Sequence, residues 1–475
     1  MSDRPVAVAG PLGAVGAALA HGRSPVEICE GALARARRPE IRDAFIALTP
    51  RRARSEAAAS ATRRADGAAR GTLDGVPVAW KDNIDVAGVT TTAGSRTRLV
   101  LPLADADAPV VRALREAGAT CIGKTNLSEY AFSGLGVNRA FGTPLNPHGG
   151  PADDARIPGG SSSGAAVAVA GGAVPVAVGT DTSGSVRVPA SFCGVVGYSS
   201  TVARYDRSGV VPLSPTLDGI GVIAHTVRDA TIVADAMDGR ARPVRRAPAP
   251  HDVRIVVPEG ELTDEVDDAV GAAFAIAIDA LADAGVLVVR RTVAALSTTQ
   301  RELDEHGTIV AAEAARTLAD VLDGPAAADI DAHVRRRALQ GRAVLADGYE
   351  HLLAGRPALQ AELAHDLRGW LVAYPTVRMT APKAADLDDD ATYVAVNARV
   401  LRSTMLASHL DMPGVSVPCG TDKAGLPVGL LLSGPAGDDD RVLGAARTIE
   451  HVLATSGRDG CPQQQATTRG EGEER

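Results

Sequence analysis

Between Pro158 and Pro189 the chain reads PGGSSSGAAVAVAGGAVPVAVGTDTSGSVRVP, two serine clusters set among glycines on either side of an apolar run. The run Val174–Val178 is β-branched and uncharged, which predicts a buried strand. It leads into Gly179-Thr180-Asp181-Thr182-Ser183-Gly184-Ser185, a stretch of glycine and small polar residues expected to end the strand and turn. Such a turn can aim successive backbone N–H groups at one point. That geometry holds the oxyanion of an acyl-transfer transition state. Ser161 to Ser163 precede Ala165–Ala170, a small-residue run that predicts a helix, so their amides would sit at its positive end.

Lys81 closes the apolar stretch Val76–Trp80, 80 positions before Ser161. A serine beside a neutral amine is a workable nucleophile–base pair. A lysine ordinarily titrates near about 10.4, but burial lowers that value. Taken singly, each serine cluster could merely turn the chain, and Lys81 could reach water from a strand end. Their combination favours chemistry.

Three other motifs compete. Gly118-Ala-Thr-Cys-Ile-Gly123-Lys124-Thr125 matches GxxxxGK[ST], the phosphate-binding loop. Its context is wrong: Pro109–Ala117 reads as a helix stopped by Gly118, and Thr120-Cys-Ile as the strand itself. Gly160-Ser-Ser-Ser-Gly164 matches GxSxG, but it follows Arg156-Ile-Pro rather than a strand, which makes Ser162 a poor elbow nucleophile. A Ser–His–Asp triad could draw on His148 or His225, yet neither lies in a telling motif.

The chain resembles the amidase signature family, serine hydrolases that cleave carboxamides with a Ser–cis-Ser–Lys triad. The matching segments are GVPVAWKDNIDVAG (Gly75–Gly88), GKTNLSEYAFSGLGVNRAFGTPLNP (Gly123–Pro147), IPGGSSSG (Ile157–Gly164) and GTDTSGSVRVPASFCGVVGY (Gly179–Tyr198), with weaker matches at Pro215–Asp229 and Pro413–Leu432. The resemblance implies Ser185 as nucleophile, Ser161 as the bridging serine after a cis peptide bond, and Lys81 as general base. It implies an oxyanion loop from the backbone amides of Thr182, Ser183, Gly184 and Ser185, with Asp181 and Arg187 bracing it and Ser162 in support. Ser183 departs from the family pattern, where many members carry glycine. The resemblance further implies one α/β/α domain on a large mixed sheet over residues 1–455, no cofactor and no metal.

Composition agrees with an enzyme of this kind. Hydrophobic residues make up 45% of the 475, ample for a core, while aromatics at 3% argue against stacking platforms for bases or glycans. The net charge of −8 gives no electrostatic case for nucleic acid. Five widely spaced cysteines without a CxxC pattern suggest reduced thiols and a cytoplasmic location. The N-terminus lacks a basic start and a membrane-length apolar segment, so it reads as mature protein with no membrane partner.

Helical and strand signals alternate along the rest. Pro25–Arg38 and Arg51–Arg70 read as helices and Phe45–Leu48 as a strand. Asp238–His251 reads as a connector. Val253–Val257, Asp264–Ala284 and Val286–Val289 form a βαβ unit, with Thr263 as N-cap and Gly285 as the stop. Residues 290–370 are charged, Ala-rich helix expected to wall the substrate pocket. Strands return at Leu371–Val377, Val415–Pro418 and Leu426–Leu432. Asp440–Ala454 reads as the last helix, and 456–475 as a disordered tail.

The expected activity is hydrolysis of a small carboxamide, acting on the carbon–nitrogen bond of linear amides. Two alternatives stand beside it: the glutaminase-like component of a tRNA-dependent amidotransferase, and a binding protein that kept the fold without catalysis. The partner expected is a small-molecule amide; oligomeric state is open, with a homodimer one option.

Overall fold

The computed structural model describes residues 10–150, 152–240 and 246–456. The first nine residues, part of the expected connector at 238–251 and the expected tail beyond Ser456 lie outside the described residues. Eleven strands form one mixed sheet: β1 (Phe45–Leu48), β2 (Pro77–Lys81), β3 (Thr120–Thr125), β4 (Val176–Asp181), β5 (Val196–Ser199), β6 (Gly219–Ala224), β7 (Arg254–Pro258), β8 (Leu287–Arg291), β9 (Leu371–Pro375), β10 (Gly414–Thr421) and β11 (Pro427–Ser433). Their spatial order is β1-β3-β2-β4-β6-β5-β10-β11-β9-β7-β8. The pairs β3/β2, β2/β4, β9/β7 and β7/β8 are parallel; the remainder are antiparallel.

Both faces of the central strands are buried, and the period-2 alternation of side chains sorts them. Val78, Trp80, Val176, Val178, Ile220 and Val222 join one apolar core. Ala79, Ala177 and Ile223 join the other, together with the helix Ser163–Ala170. That helix is built of small residues because there is no room for large ones. A Cβ on Gly164 would come within 2.2 Å of the Ala44 carbonyl oxygen. Lys81 follows the alternation of Ala79, so it points to the side where the helix and its serine-rich entry lie.

Several boundaries differ from the sequence reading for physical reasons. The strand expected at Val174–Val178 runs on through Gly179-Thr180-Asp181, pairing with Gly221, Ile220 and Gly219 of β6. Gly179 is there because Ser162 packs against it: an added Cβ would lie 2.7 Å from the Ser162 hydroxyl. Close approach, not a turn, demands the glycine. The helix expected at Asp264–Ala284 divides into Glu261–Asp264 and Asp268–Asp283. Thr263 is not its N-cap; the hydroxyl donates to the Pro258 carbonyl at 2.8 Å, and Asp267 occupies the cap position. Gly285, with φ +95°, follows the helix end as expected.

The phosphate-loop lookalike is resolved by the same logic. Gly123, Lys124 and Thr125 lie inside β3. A Cβ on Gly123 would approach the Ala47 carbonyl oxygen to 2.3 Å, so that glycine serves strand packing. Residues 290–370 are mainly helical, with Ala294–His306, Ile309–Thr317, Ala332–Asp347 and Tyr349–Asp366 as the principal segments.

Candidate active site

Parallel pairing of β2 with β4 sets Trp80 opposite Val178 and brings the carboxyl ends of both strands together. Lys81 ends β2 and Asp181 ends β4. Ligand crevices in α/β sheets form at such strand ends. The turn after β4 carries Thr182 to Val186 into the helix Arg187–Phe192.

Lys81 is 0% exposed. Its Nζ lies 2.8 Å from Ser161 Oγ, 2.8 Å from Thr180 Oγ1 and 3.1 Å from the Thr180 carbonyl oxygen. None of these three partners is a carboxylate. Burial pulls the amine down to about 7, while the more distant charges of Asp181 and Asp218 pull weakly upward. A neutral amine offers two N–H groups and one lone pair. Thr180 presents its hydroxyl and its carbonyl to Nζ, and Ser161 Oγ is the third oxygen within hydrogen-bond distance.

The Gly160–Ser161 peptide bond is cis. Ser162 donates its amide to the Ser185 carbonyl at 3.0 Å, which ties the two serine clusters together. Ser162 itself is buried, and its hydroxyl donates to the Thr180 carbonyl at 3.2 Å. Ser185 is 4% exposed on the turn.

Asp181 organises that turn. Its carboxylate accepts the amides of Gly184 at 2.6 Å, Val186 at 3.0 Å and Arg187 at 3.3 Å. The Arg187 guanidinium closes a two-point ion pair on it, Nε at 3.0 Å and Nη2 at 2.8 Å. Burial raises the Asp181 carboxyl, but Arg187 and the backbone donors outweigh it and leave it below the usual carboxylate value. One expectation changes here. The Gly184 amide is spent on Asp181, whereas the amides of Thr182, Ser183 and Ser185 have no hydrogen-bond partner among the described residues. Gly184 has φ +120°, and a Cβ there would sit 2.1 Å from Thr404 Oγ1. The turn at this position requires glycine.

The sequence reading missed the groups that hold this loop from outside it. Thr404, on the helix Asp390–His409, donates its hydroxyl to the Ser183 carbonyl at 2.5 Å. Ser408, one turn on, accepts from Arg187 at 2.7 Å. Asp218 accepts the Thr182 hydroxyl at 2.6 Å, and Asn83 donates to Thr180 Oγ1 at 3.0 Å. Asp218, Asn83 and Thr180 stand within the matched segments. Nothing local marks Thr404 or Ser408. The two histidines weighed for a triad have other surroundings. His148 Nε2 pairs with the Cys193 carbonyl at 3.2 Å, and His225 Nε2 has no partner among the described residues.

A cavity of about 290 Å³ has Gln300, His333, Arg337, Tyr393, Asn397 and Leu401 in its walls. No member of the triad lines it directly. Asn397 Oδ1 accepts the Gly134 amide at 2.8 Å, and the Gly134 carbonyl accepts the Gly160 amide at 2.7 Å, so two successive hydrogen bonds join its wall to the Ser161 loop.

Comparison with known proteins agrees with this geometry. The amidase family model matches residues 27–443. A 2-amino-5-chloromuconic acid deaminase of Comamonas testosteroni is 37% identical over 411 residues, 85% of this chain and 87% of its own. A glutamyl-tRNA(Gln) amidotransferase subunit from Anaeromyxobacter sp. (strain K) is 36% identical over 469 residues, covering 90% and 93%. A solved amidase structure superposes with a TM-score of 0.82 at 31% identity, over 93% of this chain and 99% of that one. No described helix is long and apolar enough to cross a membrane. With the eleven-stranded mixed sheet and a match over residues 27–443, the chain belongs to the amidase signature family.

Proposed function

We propose that this protein is an amidase that hydrolyses a small carboxamide through an acyl-enzyme on Ser185. The observation that carries the reading is the buried Lys81 amine, 2.8 Å from Ser161 Oγ and bonded only to neutral oxygens. Neutral Lys81 takes the Ser161 hydroxyl proton, and Ser161 takes the Ser185 proton as Oγ attacks the amide carbon. The tetrahedral oxyanion is met by the unpartnered amides of Thr182, Ser183 and Ser185. Collapse breaks the carbon–nitrogen bond, and the proton returns through Ser161 to the departing ammonia or amine. Water then cleaves the ester by the reverse relay and regenerates Ser185. The 2.8 Å contact between Lys81 Nζ and Ser161 Oγ and the free amides of the loop support this sequence of steps.

Arg337 narrows the substrate. It is half-buried in the cavity wall, its Nη1 donates to the Phe132 carbonyl at 3.1 Å, and its guanidinium lies 4.2 Å from the Phe132 ring centroid. It has no carboxylate partner among the described residues; burial lowers it only to about 10, so it is charged at neutral pH. A half-buried cation without a counter-ion is favoured by a ligand that supplies one. We therefore read the substrate as an amide that also bears a carboxylate, in line with the acid in the deaminase relative's name. The four described cysteines are free, in keeping with action in the cytoplasm.

The relationship to amidotransferase subunits supports one second reading, release of ammonia for a partner enzyme. The test is ammonia release over a panel of small amides, with and without a second carboxylate, using Ser185→Ala as blank. Turnover by the lone chain that Ser185→Ala loses, together with its fluorophosphonate labelling, supports the amidase. Undiminished labelling of Ser185→Ala would place the nucleophile elsewhere. No turnover of any amide, glutamine included, without an added partner would favour the second reading.

A further inference from the structure

The helices Ala294–His306 and Tyr349–Asp366 pack side by side in the wall of the cavity region. Glu302 and His306 are four residues apart and so share a face of the first helix. His351 meets them from the first turn of the second. Its Nε2 lies 2.6 Å from Glu302 Oε2, and His306 Nε2 lies 3.8 Å from the same oxygen. The two imidazole rings are 4.2 Å apart between centroids, tilted by 47°. One ligand atom from each of the three residues lies within 4.8 Å of the other two. None of the three belongs to the catalytic machinery, and they sit where sequence alone gives no metal motif.

We propose that Glu302, His306 and His351 bind a late first-row divalent cation, Zn²⁺ in the first instance, which clamps the two helices together. Two imidazoles and one carboxylate are a mixed nitrogen–oxygen donor set that suits zinc. Calcium and magnesium require more oxygens than this site offers. Metal–ligand bonds of about 2.0–2.2 Å in a tetrahedron place donor atoms roughly 3.3–3.5 Å apart. His351 Nε2 and Glu302 Oε2 therefore separate by a fraction of an ångström, and His306 Nε2 closes on Glu302 Oε2 from 3.8 Å. These are adjustments of part-exposed side chains that leave both helices in place. Glu305, whose Oε1 lies 4.0 Å from His306 Nε2, or a water completes the fourth position. A cation bound only by the folded chain stabilises it by mass action. The helix it clamps also contributes Gln300, Leu303 and Asp304 to the cavity wall.

The test uses tag-free, chelator-treated full-length protein, titrated with Zn²⁺ by calorimetry and with Co²⁺ by visible absorption. The expected result is one Zn²⁺ equivalent bound by the wild type and by His365→Ala, an exposed-histidine control on the same helix. Affinity should fall at least tenfold in the His306→Ala/His351→Ala double variant. The melting temperature should rise with Zn²⁺ in the wild type and not in the double variant. Absence of saturable binding to the wild type would overturn the proposal. So would equal affinity in the double variant, which would put the metal on other histidines or on the cysteines.

Discussion

Two lysines on neighbouring strands are equally buried and oppositely partnered. Lys81 ends β2, Lys124 lies in β3 paired beside Trp80, and each is 0% exposed. Lys124 has a carboxylate: Asp82 Oδ1 is 2.7 Å from its Nζ, and Thr91 Oγ1 accepts at 3.1 Å. Asp82 is held in turn by the amide of Thr92 at 3.1 Å and by its hydroxyl. Lys81 has only Ser161 and Thr180. Burial of Lys124 is offset by a counter-ion, whereas burial of Lys81, with no carboxylate in contact, draws its amine down to about 7. Residue type and burial alone do not separate the two lysines; the identity of the nearest oxygen does.

The largest test of that contrast exchanges the roles. Lys81→Arg keeps a cation but supplies no base near neutral pH, so kcat should fall on the order of 10³-fold or more, as for Lys81→Ala. Both proteins should retain native circular dichroism. Lys124→Met should do the reverse. It leaves Asp82 buried without its cation, a cost of about 3–5 kcal/mol, visible as a lowered denaturant midpoint, and Asp82→Asn in the same chain should recover part of it. Turnover by folded Lys81→Arg within about tenfold of wild type, a barrier change of only about 1.4 kcal/mol, would sink the lysine-base mechanism.

Next in size is the pH profile. With Lys81 drawn down to about 7, its ammonium form dominates below that value and is inactive. Turnover should climb about tenfold per unit as pH rises toward 7 and level off above it, through an apparent pKa that belongs to the coupled Lys81–Ser161–Ser185 group. Stability should follow the same sign. The unfolded lysine still holds its proton up to about 10.4, so between about 7 and 10.4 the unfolded chain binds more protons and stability rises with pH. Wild type compared with Lys81→Met by denaturant unfolding at both ends of that window checks it; a slope equal in the two proteins would mean that Lys81 is charged in the fold.

Arg337 extends the contrast to a cation that keeps its charge without a resident partner. Arg337→Gln should raise KM for a carboxylate-bearing amide about tenfold or more while changing kcat much less, because the contact is the same in ground and transition states. It should leave a neutral amide of similar size almost unaffected. Equal loss on both substrates would assign Arg337 to packing on Phe132.

Much of this is legible in the chain. Two serine clusters, an apolar run and a lysine after apolar residues pick out Lys81 and Ser161, which the fold places 2.8 Å apart, and Ser185, whose carbonyl accepts the Ser162 amide. The mixed sheet follows from alternating signals and from the family resemblance. What escapes a reading of the chain is set by distant partners. Gly179 has the look of a turn residue, yet it is a strand residue kept small by the Ser162 hydroxyl. Gly184 has the look of an oxyanion donor, yet its amide faces Asp181. Thr404 and Ser408 brace the loop from a helix more than 200 positions on, and only the tertiary fold creates that neighbourhood.

The smallest expected effect concerns Ser183, a buried hydroxyl with no hydrogen-bond partner among the described residues. If partners decide roles, this side chain has none, and only its amide and carbonyl matter. Ser183→Gly keeps the amide, keeps the carbonyl that Thr404 holds, and removes an unsatisfied polar atom. Its main cost is the added freedom of glycine in the unfolded chain, roughly 0.5–1 kcal/mol. Turnover should therefore stay within about threefold, well below the 10²–10³ typical of a lost oxyanion donor. Gly184→Val, by contrast, forces a branched side chain into φ +120° and onto Thr404, displacing the same loop, and should fall into that larger range. Kinetics of the two folded variants on one amide decide the matter: a Ser183→Gly protein as inactive as Gly184→Val would mean that the Ser183 hydroxyl finds its partner in the substrate.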